Sequence, residues 1–158
     1  PVLRELLKEL HGNHIIQKVI DEVNVEKEFL VEHFQSNFMD IINHKHACCT
    51  FQKIYKASDR ETRDKFLGLI KKNLDSIIYT EFGNFSLHFL FAFEKYEVKM
   101  NLLYELLPTL DKICLQRYSS GIIEQILESD FRDGQQLIIQ RIASSESPLA
   151  KASSLTFR

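Results

Sequence analysis

The sequence predicts an all-α fold, an α-solenoid of about four repeats with three helices each. Three observations predict it. A short segment recurs four times, apolar residues recur around that segment at helical spacing, and glycine and proline are scarce, at 5 and 3 of 158 residues. One such repeat cannot bury its apolar stripe alone, so stacking of neighbouring repeats must complete the core.

The recurring segment carries a small residue that we call the anchor. The four copies read HGNHIIQKVI, HACCTFQKIY, FGNFSLHFLF and YSSGIIEQIL, and their anchors are Gly12, Ala47, Gly83 and Ser119. Successive anchors lie 35, 36 and 36 residues apart. We expect each anchor just before the second helix of its repeat, where a bulky side chain would crowd the preceding helix. The Ser119 hydroxyl is also expected to cap that helix by accepting a backbone N–H bond.

Apolar columns around the anchor define the helices. Spacings of three and four residues indicate the buried stripe of a helix rather than the alternation of a strand. The columns upstream of the anchor are Leu3, Phe38, Leu74 and Leu110; Leu6, Ile41, Ile77 and Ile113; and Leu7, Ile42, Ile78 and Cys114. The columns downstream are Ile16, Phe51, Leu87 and Ile123; Val19, Ile54, Leu90 and Ile126; and, for a third helix, Leu30, Phe66, Leu102 and Ile138.

These columns give the predicted domain organisation. Four repeats span approximately residues 1–35, 36–72, 73–108 and 109–147, and we refer to them as repeats 1 to 4. Residues 148–158 are predicted to be a Ser-rich linker or the start of a further repeat.

Composition narrows the class of protein. Hydrophobic residues make up 44% and charged residues 27%, which excludes a disordered tail or a flexible linker. No apolar run approaches the roughly 18 residues of a membrane span, and no charged-then-apolar leader is present, so we expect a soluble chain. Three cysteines that include an adjacent pair favour a reducing compartment. The net charge of −2 is not typical of a nucleic-acid-binding protein. A chain that starts on Pro1 is typical of a fragment.

Two polar positions in each repeat do not fit the packing pattern. They follow the anchor by one and five residues and therefore share one face of the second helix, opposite the apolar columns. We call them the reader pair: Asn13 and Gln17, Cys48 and Gln52, Asn84 and His88, Ser120 and Glu124. Solvated helix faces normally carry Lys and Glu, whereas short polar residues and amides suit recognition of a ligand edge by hydrogen bonds. The sequence predicts a ladder of such pairs along one surface.

These residues resemble the Pumilio (PUF) repeat family. The resemblance rests on the 36-residue period, on three helices per repeat and on the segments GNHIIQK and SSGIIEQ. It implies a curved superhelix that binds single-stranded RNA with one base per repeat. The order of reader pairs resembles the fourth to seventh repeats of an eight-repeat domain.

The resemblance also implies which base each reader pair recognises. Asn13 with Gln17 corresponds to a uracil reader, because an amide both donates and accepts. Cys48 with Gln52 corresponds to an adenine reader.

In repeat 4, Ser120 with Glu124 corresponds to a guanine reader, since a carboxylate only accepts and guanine offers adjacent N–H donors. Asn84 with His88 departs from the family pattern, and uracil is our expectation there. With the RNA antiparallel to the protein, the chain is expected to read 5′-G-(U)-A-U-3′, which overlaps a UGUA-type element.

The residue two positions after each anchor is implied to stack between bases. These stacking positions are His14, Cys49, Phe85 and Gly121. Stacking of an aromatic ring on a base contributes about 1–3 kcal/mol, so His14 and Phe85 should stack well, Cys49 modestly and Gly121 not at all. Lys18 and Lys53 are the expected phosphate contacts. The four segments around the reader pairs hold five basic and four acidic residues, so base contacts should outweigh phosphate contacts.

The resulting hypothesis is a non-enzymatic, cytoplasmic mRNA-binding protein. The resemblance implies repression of mRNAs through 3′ untranslated regions, with protein effectors of decay or translation, no membrane partner and a monomeric state. The alternative is a protein-binding scaffold, or a PUF-like ribosome-biogenesis factor in the nucleolus that binds RNA without sequence preference. A zinc site at His44, His46, Cys48 and Cys49 lacks a second cluster, so we expect no metal or other cofactor.

Overall fold

The structure is a computed structural model that describes residues 2–22 and 28–144. In these ranges every regular element is helical, as the sequence predicts. Contacts divide the chain into two compact units, Pro1–Phe89 and Leu90–Arg158. No described helix has the length and apolar character needed to cross a bilayer. The predicted linker, residues 148–158, lies outside the described residues.

Three α-helices fall in each predicted repeat, and the first is the shortest of the three. Those of repeats 1 and 2 are α1 Val2–Lys8, α2 Leu10–Glu22, α3 Glu28–Ser36, α4 Phe38–Ile42, α5 Ala47–Ala57 and α6 Arg60–Lys72. Those of repeats 3 and 4 are α7 Leu74–Ile78, α8 Asn84–Phe93, α9 Tyr96–Leu106, α10 Leu110–Leu115, α11 Ser120–Glu128 and α12 Arg132–Ala143. A 3₁₀ turn, Leu107–Thr109, joins α9 to α10, where Pro108 lacks the N–H that a continuous α-helix would use.

The predicted apolar columns form the core. Nearly all of their members are buried, and the half-buried exceptions are Leu3, Leu6, Val19 and Cys114. In the first unit the fully buried Phe51 ring meets Phe38 and Phe66 edge-on, at centroid distances of 5.8 and 5.5 Å. Such edge-to-face pairs add about 0.5–1.5 kcal/mol each beyond the area they bury.

At the two glycine anchors, the preceding helix leaves no room for a side chain. A Cβ atom on Gly12 would lie 2.6 Å from the Leu6 backbone oxygen, and one on Gly83 would lie 2.8 Å from that of Ile77. Both distances are shorter than a real contact of this kind. The predicted crowding of the second helix against the first is therefore confirmed.

Three details of the anchor prediction are wrong. Gly12 lies inside α2, which begins at Leu10, because the backbone N–H of Asn13 already bonds the Glu9 carbonyl. Ala47 is the first residue of α5 and does not precede it. Ser119 does not cap α11 with its side chain. Its hydroxyl instead donates backward to the carbonyl of Ile113 at 2.8 Å, which ties α10 to the start of α11.

Polar contacts join neighbouring repeats in the first unit. The Asp40 carboxylate on α4 accepts from Lys8 at 2.7 Å and from Arg4 at 2.9 Å on α1. The bond from Lys8, and then that from Arg4, hold the pKa of Asp40 below its ordinary value. Further along, the Thr80 hydroxyl donates to the Asn43 side-chain oxygen at 2.7 Å. These bonds connect the first helices and the turns after them.

The second unit uses similar contacts. The Arg141 guanidinium on α12 bonds the Asp111 carboxylate on α10 at 3.1 Å. The Tyr96 ring meets the Phe131 ring edge-on at 5.7 Å, so α9 is tied to the turn before α12. These contacts hold α12 against α10, and α9 against the segment that precedes α12.

Candidate nucleic-acid interface

The first member of three of the four reader pairs is buried. Asn13 is 3% exposed, Cys48 2% and Asn84 3%. Ser120, in the second unit, is half-buried. This member is therefore placed to support its partner from below more than to reach outward itself.

The side-chain nitrogens of Asn13 and Asn84 both donate to backbone carbonyls. Asn13 Nδ2 donates to the carbonyls of Glu9 and Leu10 at 2.8 and 2.7 Å. Asn84 Nδ2 donates in the same way to Thr80 and Glu81, at 2.6 and 3.0 Å. The sequence interpretation missed this role. The signal was available, because Asn at the start of a helix commonly bonds nearby backbone groups.

The second member of each pair is the more accessible one. Gln17, Gln52 and His88 are half-buried, and Glu124 in the second unit is exposed. Gln17 Nε2 donates to Asn13 Oδ1 at 2.7 Å. This bond orients the Gln17 amide and leaves its Oε1 and its second N–H available, which is one acceptor beside one donor.

Repeats 2 and 3 meet at the second reader pair. Gln52 Nε2 donates to the backbone oxygen of Phe85 at 3.5 Å. The side chain of one reader thus contacts the stacking residue of the next repeat. Within the first unit, the structure brings these neighbouring predicted positions together.

Three of the four stacking positions are exposed. His14 and Cys49 are exposed, Gly121 is half-buried, and the Phe85 ring is 48% exposed. The centroid of Phe85 lies 6.4 Å from that of His88 and 6.5 Å from that of Phe82. Repeat 3 therefore presents an aromatic surface around its atypical reader pair.

The adjacent cysteines differ in acidity. A hydrogen bond from the Cys48 thiol lowers the pKa of Cys49 to about 6. The same bond, together with burial, raises the pKa of Cys48. The neighbouring thiol thus favours the thiolate form of the exposed Cys49, a property that the sequence interpretation did not foresee.

The two predicted phosphate contacts are already paired with carboxylates. Lys53 on α5 forms an ion pair with Asp21 on α2. Lys18 lies 3.5 Å from Glu22, and both of these side chains are well exposed. A count of charges along the sequence missed the pairing of Lys53, although opposite charges on neighbouring second helices would have indicated it.

Two other features bear on the site. The rings of His44 and His46 lie 5.9 Å apart, but within residues 2–22 and 28–144 no three His, Cys, Asp or Glu side chains are grouped to hold a metal ion.

In the second unit, the Arg117 guanidinium lies over the Tyr118 ring at 5.5 Å. That cation is close in sequence to Ser120 and adds positive charge at the start of α11.

The fold defines a repeat protein with three helices per repeat and a polar pair on each second helix. The chain belongs to the Pumilio (PUF) family, and the profile of the Pumilio-family RNA binding repeat matches residues 5–33 and 37–70. This family membership supports the expectation of a binding protein rather than an enzyme.

Relatives and solved structures are consistent with that family. The chain is 26% identical over 134 residues to Pumilio homology domain family member 4 and 31% identical over 134 residues to Suppressor protein MPT5, both from Saccharomyces cerevisiae. The matches cover 82% and 80% of this chain and 15% of each relative. The Puf4 RNA binding domain, solved with the HO endonuclease RNA 3′ UTR recognition sequence, matches with a TM-score of 0.82 and 25% identity. That match covers 90% of this chain and 45% of the Puf4 chain.

Proposed function

We propose that the chain binds single-stranded RNA, reading one base with each reader pair. One observation carries the proposal: the Gln17 amide is fixed by Asn13 so that one acceptor and one donor remain free. Uracil offers the complement, an N3–H donor beside a carbonyl oxygen. The Puf4 domain, which matches most of this chain, was solved with RNA bound.

The proposed sequence is 5′-G-(U)-A-U-3′, within a UGUA-type element. Glu124 is exposed on α11, where its carboxylate can accept from two guanine N–H groups. Gln52 is the proposed contact for adenine. We further propose that the protein acts in the cytoplasm, on mRNA 3′ untranslated regions, and represses its targets by recruiting effectors of decay or translation.

The proposed binding by four repeats is weak. Four base contacts at about 1–3 kcal/mol each give roughly 4–12 kcal/mol, against an association cost of about 4–15 kcal/mol. We expect a micromolar Kd or weaker. The salt dependence should be shallow, because two phosphate contacts to a single strand give a slope of only about −1.4 in log K against log salt. Pairing of Lys53 with Asp21 makes it shallower still.

The first test compares a UGUAU-containing oligonucleotide with its scramble by fluorescence anisotropy. Preferential binding of the UGUAU sequence is expected, and equal binding would dismiss base recognition. A nanomolar Kd at physiological salt would show that the affinity argument is wrong.

A sharper test is Glu124→Gln. An amide donates as well as accepts, so it matches the N1 acceptor and the amino group of adenine. Preference at that base should move from G towards A. The control is Glu105→Gln, the same change on the exposed surface of α9, which should leave preference unaltered. An unchanged G preference in the Glu124 variant would reject the base-reading proposal.

One observation favours a second candidate, RNA binding without sequence preference or a protein-binding scaffold. Two of the four stacking positions, Cys49 and Gly121, carry no ring, and Lys53, which follows the reader Gln52 in sequence, is paired with Asp21. A nucleolar ribosome-biogenesis factor would fit those features. In the oligonucleotide comparison, this candidate requires equal binding of the two sequences or no binding of either.

A further inference from the structure

Repeat 4 has no side chain at its stacking position, because that position is Gly121. A ring nevertheless lies close by, since the residue immediately before the anchor carries a ring in every repeat. We call these residues the pre-anchor rings: His11, His46, Phe82 and Tyr118. This column of rings is complete where the column of stacking positions is not.

The turn that carries the pre-anchor ring is built in the same way in repeats 3 and 4. In both, the backbone N–H one residue after the anchor bonds the carbonyl three residues before it, and the N–H three residues after the anchor bonds the anchor carbonyl. The distances are 3.4 and 3.0 Å in repeat 3, and 3.1 Å for both bonds in repeat 4. Tyr118 therefore takes the place in its turn that Phe82 takes in repeat 3.

In repeat 3 the pre-anchor ring lies beside the stacking residue. The ring centroids of Phe82 and Phe85 are 6.5 Å apart. In repeat 4 glycine replaces the second of these residues, so no side chain at position 121 fills the place that the Phe85 ring fills. The Tyr118 ring is 36% exposed and is therefore accessible to a ligand next to the backbone of Gly121.

A cation holds this ring from one side. The Arg117 guanidinium lies 5.5 Å from the centre of the Tyr118 ring, where it is attracted by the negative face of the aromatic system. The arginine side chain is itself exposed, so its N–H groups can also donate to a phosphate. The two residues together offer a flat face for a base and a positive charge for the backbone of the same nucleotide.

The sequence of the other repeats supports this compensation. Repeats 2 and 4 lack a ring at the stacking position, and both carry a cation two residues before the anchor, Lys45 and Arg117. Repeats 1 and 3 have a ring at the stacking position, and Leu10 and Glu81 stand where the cation would be. A cation beside the pre-anchor ring thus accompanies the absence of a stacking ring.

We propose that repeat 4 stacks its base on Tyr118, on the ring face opposite Arg117, and that Arg117 contacts the adjoining phosphate. Tyr118 holds the base by its flat face, which all four bases share, while Glu124 distinguishes guanine by its edge. The inference rests on the proposed RNA binding. It assigns the stacking task of repeat 4 to a residue outside the stacking positions that the family resemblance implies.

A single fluorophore tests the contact directly. The chain contains no tryptophan, so Tyr118→Trp introduces the only indole, at the proposed contact. A base stacked on an indole quenches its emission, so saturating UGUAU oligonucleotide should quench this variant. The quenching should be lost when the G nucleotide is replaced by an abasic one. Tyr104→Trp is the matched control, because Tyr104 is 55% exposed on α9, and its emission should not change when RNA binds.

Affinity gives a second measurement. Tyr118→Ala should weaken UGUAU binding at least about fivefold, the loss expected for one base on one ring. Tyr118→Phe keeps the ring and should bind like the wild type, as should Tyr104→Ala. Removal of the guanine base should cost the wild type more than Tyr118→Ala, because that variant has already lost one contact to it. Circular dichroism establishes that each variant keeps its helices.

The outcomes distinguish this inference from the proposed function. Preferential UGUAU binding without quenching of the Tyr118→Trp variant, or with unchanged affinity of the Tyr118→Ala variant, would overturn the inference and leave the proposed function standing. Quenching by both the UGUAU oligonucleotide and its scramble would reject base reading but support the contact with Tyr118. Failure to bind either oligonucleotide would overturn both.

Discussion

The side-chain amide of Gln17 donates to the side-chain oxygen of Asn13 at 2.7 Å, one helical turn away. Asn13 is itself held by the carbonyls of Glu9 and Leu10. The accessible amide of Gln17 is thus hydrogen-bonded to the buried amide of Asn13, which is in turn hydrogen-bonded to the backbone. This order of support assigns different tasks to the two members of the reader pair.

Asn13→Ala should reduce both stability and uracil preference. The variant leaves the Glu9 and Leu10 carbonyls without their side-chain donor, which should lower the free energy of unfolding by about 1–2 kcal/mol. Gln17→Ala removes the accessible amide and its bond to Asn13 Oδ1 but keeps both backbone bonds of Asn13. The free energy of unfolding should therefore fall by less, about 0.5–1 kcal/mol, while uracil preference is still lost. Urea unfolding and competition between oligonucleotides that differ at this base measure the two effects. Equal loss of stability in both variants would argue against this division of tasks.

His88→Gln should strengthen the uracil preference of repeat 3. Asn84 makes the same two kinds of backbone bond as Asn13, so a glutamine four residues later would meet a similar support. We expect preference for uracil over the other bases to increase by about 1–3 kcal/mol. The reverse change in repeat 1, Gln17→His, serves as the control and should weaken uracil preference. Binding to four oligonucleotides that differ only at the relevant base gives the measurement.

Gly12→Ala and Gly68→Ala should have opposite effects on stability. A methyl group at Gly12 would lie 2.6 Å from the backbone oxygen of Leu6, so helix α1 must move, at a cost of about 1–3 kcal/mol. At Gly68, in the middle of α6, a Cβ meets nothing within 4 Å. Alanine should stabilise the helix there by up to about 1 kcal/mol. Thermal unfolding compares the two, and a neutral Gly12→Ala would contradict the steric role of the anchor.

Cys49 should be the first cysteine to react with iodoacetamide. Its pKa is lowered to about 6 by the bond from Cys48, whereas burial raises the pKa of Cys114. Only the thiolate reacts, so Cys49 should label readily at pH 7 and progressively more slowly as the pH falls below 6. Mass spectrometry of peptides follows the order of labelling.

The control for that experiment is Cys49→Ser, which should remove the fast phase. Labelling of Cys114 before Cys49 at neutral pH would show that the adjacent thiol does not assist ionisation. If Cys49 contacts RNA as proposed, bound UGUAU oligonucleotide should slow its alkylation.

The sequence predicted the fold well because the signal was repeated. Each apolar column occurs four times, so a departure such as the half-buried Cys114 does not obscure the pattern. Anchor size was also predictable, since close packing of two helices allows few residue types. The position of Gly12 inside α2 could not be predicted, because the residue at which a helix begins depends on backbone hydrogen bonds that the residue types do not specify.

The candidate site was predicted by position more than by role. Periodicity identified which residues follow the anchor, but burial of Asn13 and the bond from Gln17 depend on three-dimensional contacts. The pairing of Lys53 with Asp21 crosses two repeats and so escapes any reading of one segment alone. The base preferences remain predictions.

The buried asparagines have a consequence for protein engineering. Asn13 and Asn84 bond backbone carbonyls near the start of their helices. The more exposed second members of the reader pairs therefore contribute less to stability. A library randomised only at residues 17, 52, 88 and 124 should therefore yield mostly folded members with altered ligand choice, whereas randomising the inner partners would mainly generate misfolded clones.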